Sequence, residues 1–242
     1  MFTFLLKRFY QAVIVMFVIS LVAFSIQDNL GDPLRELVGQ SVSESVRQEL
    51  RDKMGLNDPF LVKYSRFLQN AVQGDLGTSY FFKRPALEVI LDKLVATLEL
   101  VFAAALIIVV VSIPLGVYSA IRPRSFLTKL IMAVSSIGIS IPVFLTAIML
   151  MYLFSIQLGW LPAYGRGETY NLLGWESGFF TWDGIKHLIL PAVSLSSIML
   201  PLFIRLVRSE MLEQLSSEYV KFARAKGLDN NKVYYQHALK NT

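Results

Sequence analysis

The sequence predicts an all-α, polytopic transmembrane helical bundle, and three observations carry that prediction. Of 242 residues, 54% are hydrophobic and 17% charged, against about a quarter charged in an ordinary soluble domain. The mean hydropathy is +0.52. The two classes of residue are also segregated: long uncharged apolar runs alternate with charge-rich segments. Finally, the runs lack the period-two alternation of a barrel strand, so their backbone N–H and C=O groups must be paired within helices.

Four runs are candidate spans. Phe9 to Ile26 holds 18 uncharged residues, Leu100 to Ile121 holds 22, Leu130 to Ile156 holds 27 and Leu188 to Ile204 holds 17. At ~1.5 Å per residue each approaches or exceeds a ~30 Å hydrocarbon core. Lys7 and Arg8 precede the first run as they would in a signal peptide. The run is longer than the usual ~7–15-residue apolar region, and its only small-residue site is Ala23-Phe24-Ser25, so it reads as an uncleaved anchor.

The chain therefore divides into residues 1–26 (N-terminal segment and span one), 27–97 (outer helical segment) and 98–121 (span two). A loop over 122–129, span three over 130–156 and an outer loop over 157–187 follow. Span four occupies 188–208, and 209–242 form a tail. Orientation follows from Lys and Arg near the spans. The N-terminus, the 122–129 loop and the tail carry twelve basic and four acidic residues. The intervening segments carry eleven basic and fourteen acidic. The positive-inside bias places both termini in the cytoplasm.

In the outer segment, Gly31-Asp32-Pro33 reads as a turn. Ser41 or Ser43 is placed to cap a helix running to Met54, with Gly55 ending it. Asp58-Pro59 starts a second helix, ended by Gly74, with Phe60, Leu61, Tyr64, Phe67, Leu68 and Val72 at helical spacing. Arg84-Pro85 begins a third, Ala86 to Leu94, expected to lie in the membrane interface before span two. The segment is too small and too amphipathic for an independent enzyme domain. The second outer segment concentrates Trp160, Tyr164, Tyr170, Trp175 and Trp182, which suits either an interfacial aromatic belt or a docking surface.

Every span after the first contains proline: Pro114, Pro142, and the pair Pro191 and Pro201, each expected to kink its helix. Serines cluster there too, including Ser135, Ser136, Ser140, Ser194, Ser196 and Ser197. They either let helices pack closely or line a neutral polar pathway. The uncharged runs argue against a proton relay, a voltage sensor or an ion pump.

Several chemistries are missing. Without cysteine there is no disulfide framework and no thiolate metal site. The +5 net charge flanks apolar runs instead of forming a basic face, which argues against a nucleic-acid partner. No G-x-x-x-x-G-K-[ST] or H-E-x-x-H motif occurs. His187 and His237 fall in different segments, and no pair of intramembrane aspartates offers an acid–base dyad. Energy for transport would have to come from a gradient or from a nucleotide-binding partner.

The tail carries Glu218-Tyr-Val-Lys-Phe-Ala-Arg-Ala-Lys226, a short helix, with Gly227 placed as its C′ residue. Spacing alone suits a basic amphipathic helix on anionic lipid as well as a helix docked on a partner.

These residues resemble the cytoplasmic coupling loop of permease subunits in binding-protein-dependent ABC importers. The family pattern is E-A-A-x-x-x-G, then nine residues, then I-x-L-P. This chain has Lys221-Phe222-Ala223-x-x-x-Gly227 and His237-Ala238-Leu239-Lys240. It departs at several positions, and the departures resemble the peptide/nickel branch, where Y-[VI]-x-x-A-R-A-K-G-L…H-A-L-x-N is usual. Further stretches resemble that branch in order: Gly31-Asp32-Pro33, Gly55-Leu56-x-x-Pro59, Gly74-Asp75-Leu76-Gly77-Thr78-Ser79, Ala96-Thr97-Leu98-Glu99-Leu100, Ile113-Pro114-Leu115-Gly116, Gly159-Trp160-Leu161-Pro162 and His187-Leu-Ile-Leu-Pro191.

The resemblance implies the first of two paired permeases, with a type I ABC importer permease fold in the bacterial inner membrane. Members have six spans, and this sequence stops at Thr242 inside the coupling motif, so a bundle lacking its last two helices is expected. The implied partners are a second permease, two ATPase subunits, a periplasmic substrate-binding protein and membrane lipid. ATP would be bound by the ATPase subunits, and the permease itself would hold no cofactor and do no covalent chemistry. The implied ATPase-coupling residues are Glu218, Tyr219, Ala223, Arg224, Ala225, Lys226, Gly227 and Leu228. Ala223 and Ala225 are expected to let the partner approach closely. The alternative is a membrane anchor or scaffold with a lipid- or partner-binding tail. Peptides, nickel, opines, oligosaccharides and antimicrobial peptides are all cargo compatible with the resemblance.

Overall fold

The computed structural model describes residues 1–29, 44–53, 55–79, 81–172 and 175–242. The chain divides into two units, Met1–Lys93 and Leu94–Thr242.

In the first unit, helix α1 runs Phe2–Asn29. It contains the first expected span and begins seven residues earlier, because nothing between Phe2 and Phe9 breaks a helix. Helix α2 is Glu44–Lys53 and α3 is Phe60–Val72. The turn at Gly31-Asp32-Pro33, the capping serines and Met54 lie outside the described residues. Asp58 does not cap α3. Pro59 holds the cap position with no side-chain bond, and Asp58 pairs with Arg66 at 2.5 Å.

The apolar face of α3 is narrower than its spacing suggests. Tyr64 is buried, whereas Leu61 and Val72 are exposed. The Tyr64 hydroxyl donates to the Phe17 carbonyl at 3.3 Å and lies 2.8 Å from Ser20 Oγ. The Phe24 ring meets Phe60, Tyr64 and Phe67 at 5.5–5.7 Å. Offset and edge-on ring contacts at this separation are favourable.

Helix α4 is continuous over Ala86–Ile121. This corrects the expected separate interfacial helix over Ala86–Leu94. No glycine or proline interrupts Leu94 to Leu98, so nothing stops the helix before the span. Pro114 also lies inside α4.

The second unit departs most from expectation at the third span. The run 130–156 is not one helix. The chain bends by 108° between helix α5 (Phe126–Ser140) and helix α6 (Val143–Leu150, prolonged by a π-helical turn Met151–Gln157). The cause is local. A residue before proline is pushed out of the α region by the ring Cδ. Ile141 accordingly adopts φ −91°, ψ 123°, and Pro142 starts a new helix at its N-cap. At ~1.5 Å per residue neither arm alone reaches ~30 Å.

Two short antiparallel strands follow, β1 (Tyr170–Leu172) and β2 (Trp175–Ser177), with Asn171 opposite Glu176. They are a small exception in a mostly helical chain. Helix α7 spans Trp182–Ser216. It is longer than the expected 188–208 because Thr181 caps it, accepting from Gly184 N–H at 3.0 Å, and because no breaker follows Ile204 until the extended Ser217. Pro191 and Pro201 sit inside it.

Helices α4 and α7 approach closely. A Cβ on Gly116 would fall 2.7 Å from the Val207 side chain and 3.0 Å from the Ile204 carbonyl. Ser112, Ser119, Ser194 and Ser196 are buried. Ser119, Ser194 and Ser196 donate to carbonyls three or four residues earlier in their own helices. Small, internally bonded side chains are what close helix packing in a bilayer requires. Arg205 Nη2 reaches across to Ser136 Oγ at 2.7 Å.

Candidate functional site

The C-terminal tail folds back on the ends of two long helices. Helix α8 is Glu218–Ala225. A π-helical segment Lys232–Ala238 and a short 3-10 turn Leu239–Asn241 follow. Val220 and Ala223 of α8 join Val117 and Ala120 of α4, Met211 of α7, and Val233 and Ala238 in one buried apolar cluster. Met211, Val220, Val233 and Ala238 have no solvent exposure. The tail is therefore co-folded with the helices it follows.

Helical geometry explains the division of α8. Successive residues turn by about 100°, so Val220 and Ala223 share one face and Glu218, Lys221, Phe222 and Ala225 share the opposite one. These four are exposed. Phe222 is 62% exposed, with Lys226 Nζ 4.6 Å from its ring centre. Lys221 pairs with Glu218 at 2.9 Å. Tyr219 and Arg224 flank the outward row, and the Tyr219 hydroxyl donates to Gln214 Oε1 at 2.7 Å. The end of α8 is a Schellman motif. Leu228 N–H donates to Ala223 O at 3.4 Å and Gly227 N–H to Arg224 O at 2.9 Å. Gly227 holds φ +76°, with nothing within 4 Å of a Cβ built on it.

Of the eight residues expected to meet a partner, seven form one exposed surface: Glu218, Tyr219, Arg224, Ala225, Lys226, Gly227 and Leu228. Ala223 does not. Its expected role in close approach of a partner is corrected, because the helix needs that face for the chain's own core. Ala225 alone keeps the small outward side. Phe222 and Lys221 were not among the expected site residues. The signal for them was present, since once Val220 and Ala223 are taken as the inward pair, Phe222 must point out. Among the described residues no group of three or more His, Asp or Glu could hold a metal.

Among the described residues, three helices are long and apolar enough to cross a membrane, or four if the bent pair α5–α6 is one span. Large apolar side chains are exposed along all of them. This is a multi-pass membrane protein whose tail helix α8 is packed on one face and exposed on the other. The chain belongs to the family described as binding-protein-dependent transport system inner membrane component, whose model matches residues 112–242. The N-terminal component of the same type of system matches residues 1–101.

Its relatives agree. It is 34% identical to the dipeptide transport system permease protein DppB of Alkalihalophilus pseudofirmus, over all of this chain and 76% of the relative. It is 37% identical to the oligopeptide transport system permease protein AppB of Bacillus subtilis, over all of this chain and 75% of the relative. It is 34% identical to the di/tripeptide transport system permease protein DppB of Pseudomonas aeruginosa, over all of this chain and 76% of the relative. The protein is thus a permease subunit of a binding-protein-dependent importer, with a type I ABC permease fold. These relatives lend no support to the anchor or scaffold alternative.

Proposed function

We propose that the protein is one of two permeases in an ATP-driven importer of peptides, and that α8 is the element through which ATPase subunits drive it. The permease binds no nucleotide and does no covalent chemistry. A substrate-binding protein delivers cargo at the outer face of the bacterial inner membrane, and a second permease completes the pathway. Both termini lie in the cytoplasm, where twelve basic residues against four acidic support that orientation. Peptide cargo is supported by the names of the relatives described above.

The observation that carries the coupling reading is the two-sided character of α8. Its inward row is fixed among Val117, Ala120 and Met211. Its outward row offers an aromatic ring, an adjacent alanine and basic side chains with no solvent-excluding cover. A force applied to the outward row reaches α4 and α7 through packed side chains, as a rigid-body movement requires. Co-expression with candidate nucleotide-binding subunits, followed by affinity capture through this chain, tests the proposal. Recovery of an ATPase with the parent chain and its loss on Phe222→Ala is the expected result. Equal recovery with both would show that α8 is not the coupling element.

A further inference from the structure

Glu99 sits one residue before the uncharged run of α4 and is only 7% exposed. Its Oε1 accepts Gly178 N–H at 2.9 Å, and its Oε2 accepts Arg166 Nη2 at 3.3 Å. Charge-assisted N–H···O bonds settle near 2.7–2.9 Å, so the contact with Arg166 is loose. The same Nη2 is also engaged by the Glu176 carbonyl. An ionised carboxylate offers about four acceptor positions, and these two bonds leave capacity unused. This buried carboxylate, paired with Arg166 but with acceptor positions to spare, borders a cavity of about 470 Å³. Leu98 and Phe102 of α4 form one wall, and Trp175, Phe179 and Phe180 form the other. Phe102 and Phe179 meet edge-on at 5.9 Å. Among the described residues lining the cavity, Glu99 is the only charged one.

We propose that this cavity binds an organic ammonium group. Aromatic rings attract a cation through their quadrupoles, and the carboxylate supplies the counter-charge and the acceptor. A neutral apolar guest would leave the spare acceptor positions of Glu99 unused, and an anion would meet the carboxylate on a wall that Arg166 does not line. The volume falls within the roughly 300–1,000 Å³ of small-molecule sites. Two sources carry this chemistry: the amine headgroup of a phospholipid, since Glu99 borders a membrane-length run, and the free amino terminus of a peptide. The site rests on the cavity alone. Only the second source rests on the peptide-import reading.

The test uses the full chain in lipid nanodiscs. Trp160→Phe and Trp182→Phe leave Trp175, on the cavity wall, as the only tryptophan reporter. Benzylammonium is expected to change its fluorescence saturably, and neutral benzyl alcohol to bind roughly tenfold more weakly. Glu99→Gln should abolish that preference. Phe102→Leu, which leaves the ion pair intact, should weaken the ammonium by about threefold. Equal binding of the two probes, or no saturable response in a reporter that melts like the parent, overturns the proposal. Weaker probe binding in phosphatidylethanolamine than in phosphatidylcholine nanodiscs, both of zero net lipid charge, assigns the site to the N–H-bearing lipid headgroup. Displacement by a dipeptide, but not by its N-acetyl form, assigns it to the cargo. Displacement by neither, with the preference retained, leaves it as a site for free amines.

Discussion

Phe222 and Ala225 share the outward face of α8, while Ala223 faces the core, and this separates two kinds of damage. Removing the Phe222 ring forfeits about 1.5–3 kcal/mol of burial on docking, enough to weaken ATPase association by roughly ten- to a hundredfold. Ala225→Trp should act alike by holding the surfaces apart. Neither should lower the melting temperature in detergent. Ala223→Asp places a carboxylate among Val117, Met211 and Val233 and should destabilise the tail by about 3–5 kcal/mol. Scanning calorimetry beside ATPase pull-down separates these outcomes. A pull-down defect for Ala223→Asp at unchanged melting temperature would mean that Ala223 meets the partner after all. Gly227 gives a second residue-scale prediction. Its φ of +76° is open to glycine and, at modest cost, to asparagine, whereas a β-branched side chain is strained there by roughly 1–2 kcal/mol. Gly227→Val should therefore lower the melting temperature, and Gly227→Asn should be nearly neutral. Since nothing lies within 4 Å of a Cβ there, equal losses for both would mean that β-branched strain at positive φ is not what separates the two variants.

At the scale of elements, the spans were legible because uncharged runs of membrane length leave the backbone little choice but helix. Their ends were less legible. The charged N-terminal end of α4 and C-terminal end of α7 continue as helix because no glycine or proline stops them, and hydropathy does not report helix continuity. The break at Pro142 was misread for the opposite reason. Proline within an apolar run reads as a kink, as Pro114, Pro191 and Pro201 suggest, yet only Ile141-Pro142 leaves the helical region altogether. Sequence position does not distinguish the two cases, because the choice depends on whether neighbours repair the lost bond. The β1–β2 ladder went unseen since its strands are three residues each, too short for an alternation signal. Pro142→Ala should let Ile141 return to the α region and reduce the 108° bend between α5 and α6. Spin labels at the exposed positions Leu130 and Leu153 should then move apart in pulsed dipolar measurements. An unchanged distance would place the cause of the bend in packing against α7.

For the whole molecule, the distribution of Lys and Arg sets an orientation that labelling can test. The chain has no cysteine, so single cysteines report cleanly. Tyr164→Cys, in a loop position that is 89% exposed, should react with an impermeant maleimide from the outer side. Lys221→Cys, on α8, should react only from the cytoplasmic side. Labelling of both from one side would overturn the orientation. The burial of Val220 and Ala223 has a further consequence, which concerns the exchange of parts between related transporters. A coupling helix that were merely tethered could be swapped as a cassette, carrying its choice of ATPase with it. Here Val220 and Ala223 belong to the host bundle's core, so a transplanted Glu218–Leu228 segment must match the recipient's core at those two positions before it can express its own preference. An exchange that keeps Val220 and Ala223 and replaces only Glu218, Lys221, Phe222 and Ala225 is therefore expected to fold in the recipient, whereas one that replaces the inward pair is not.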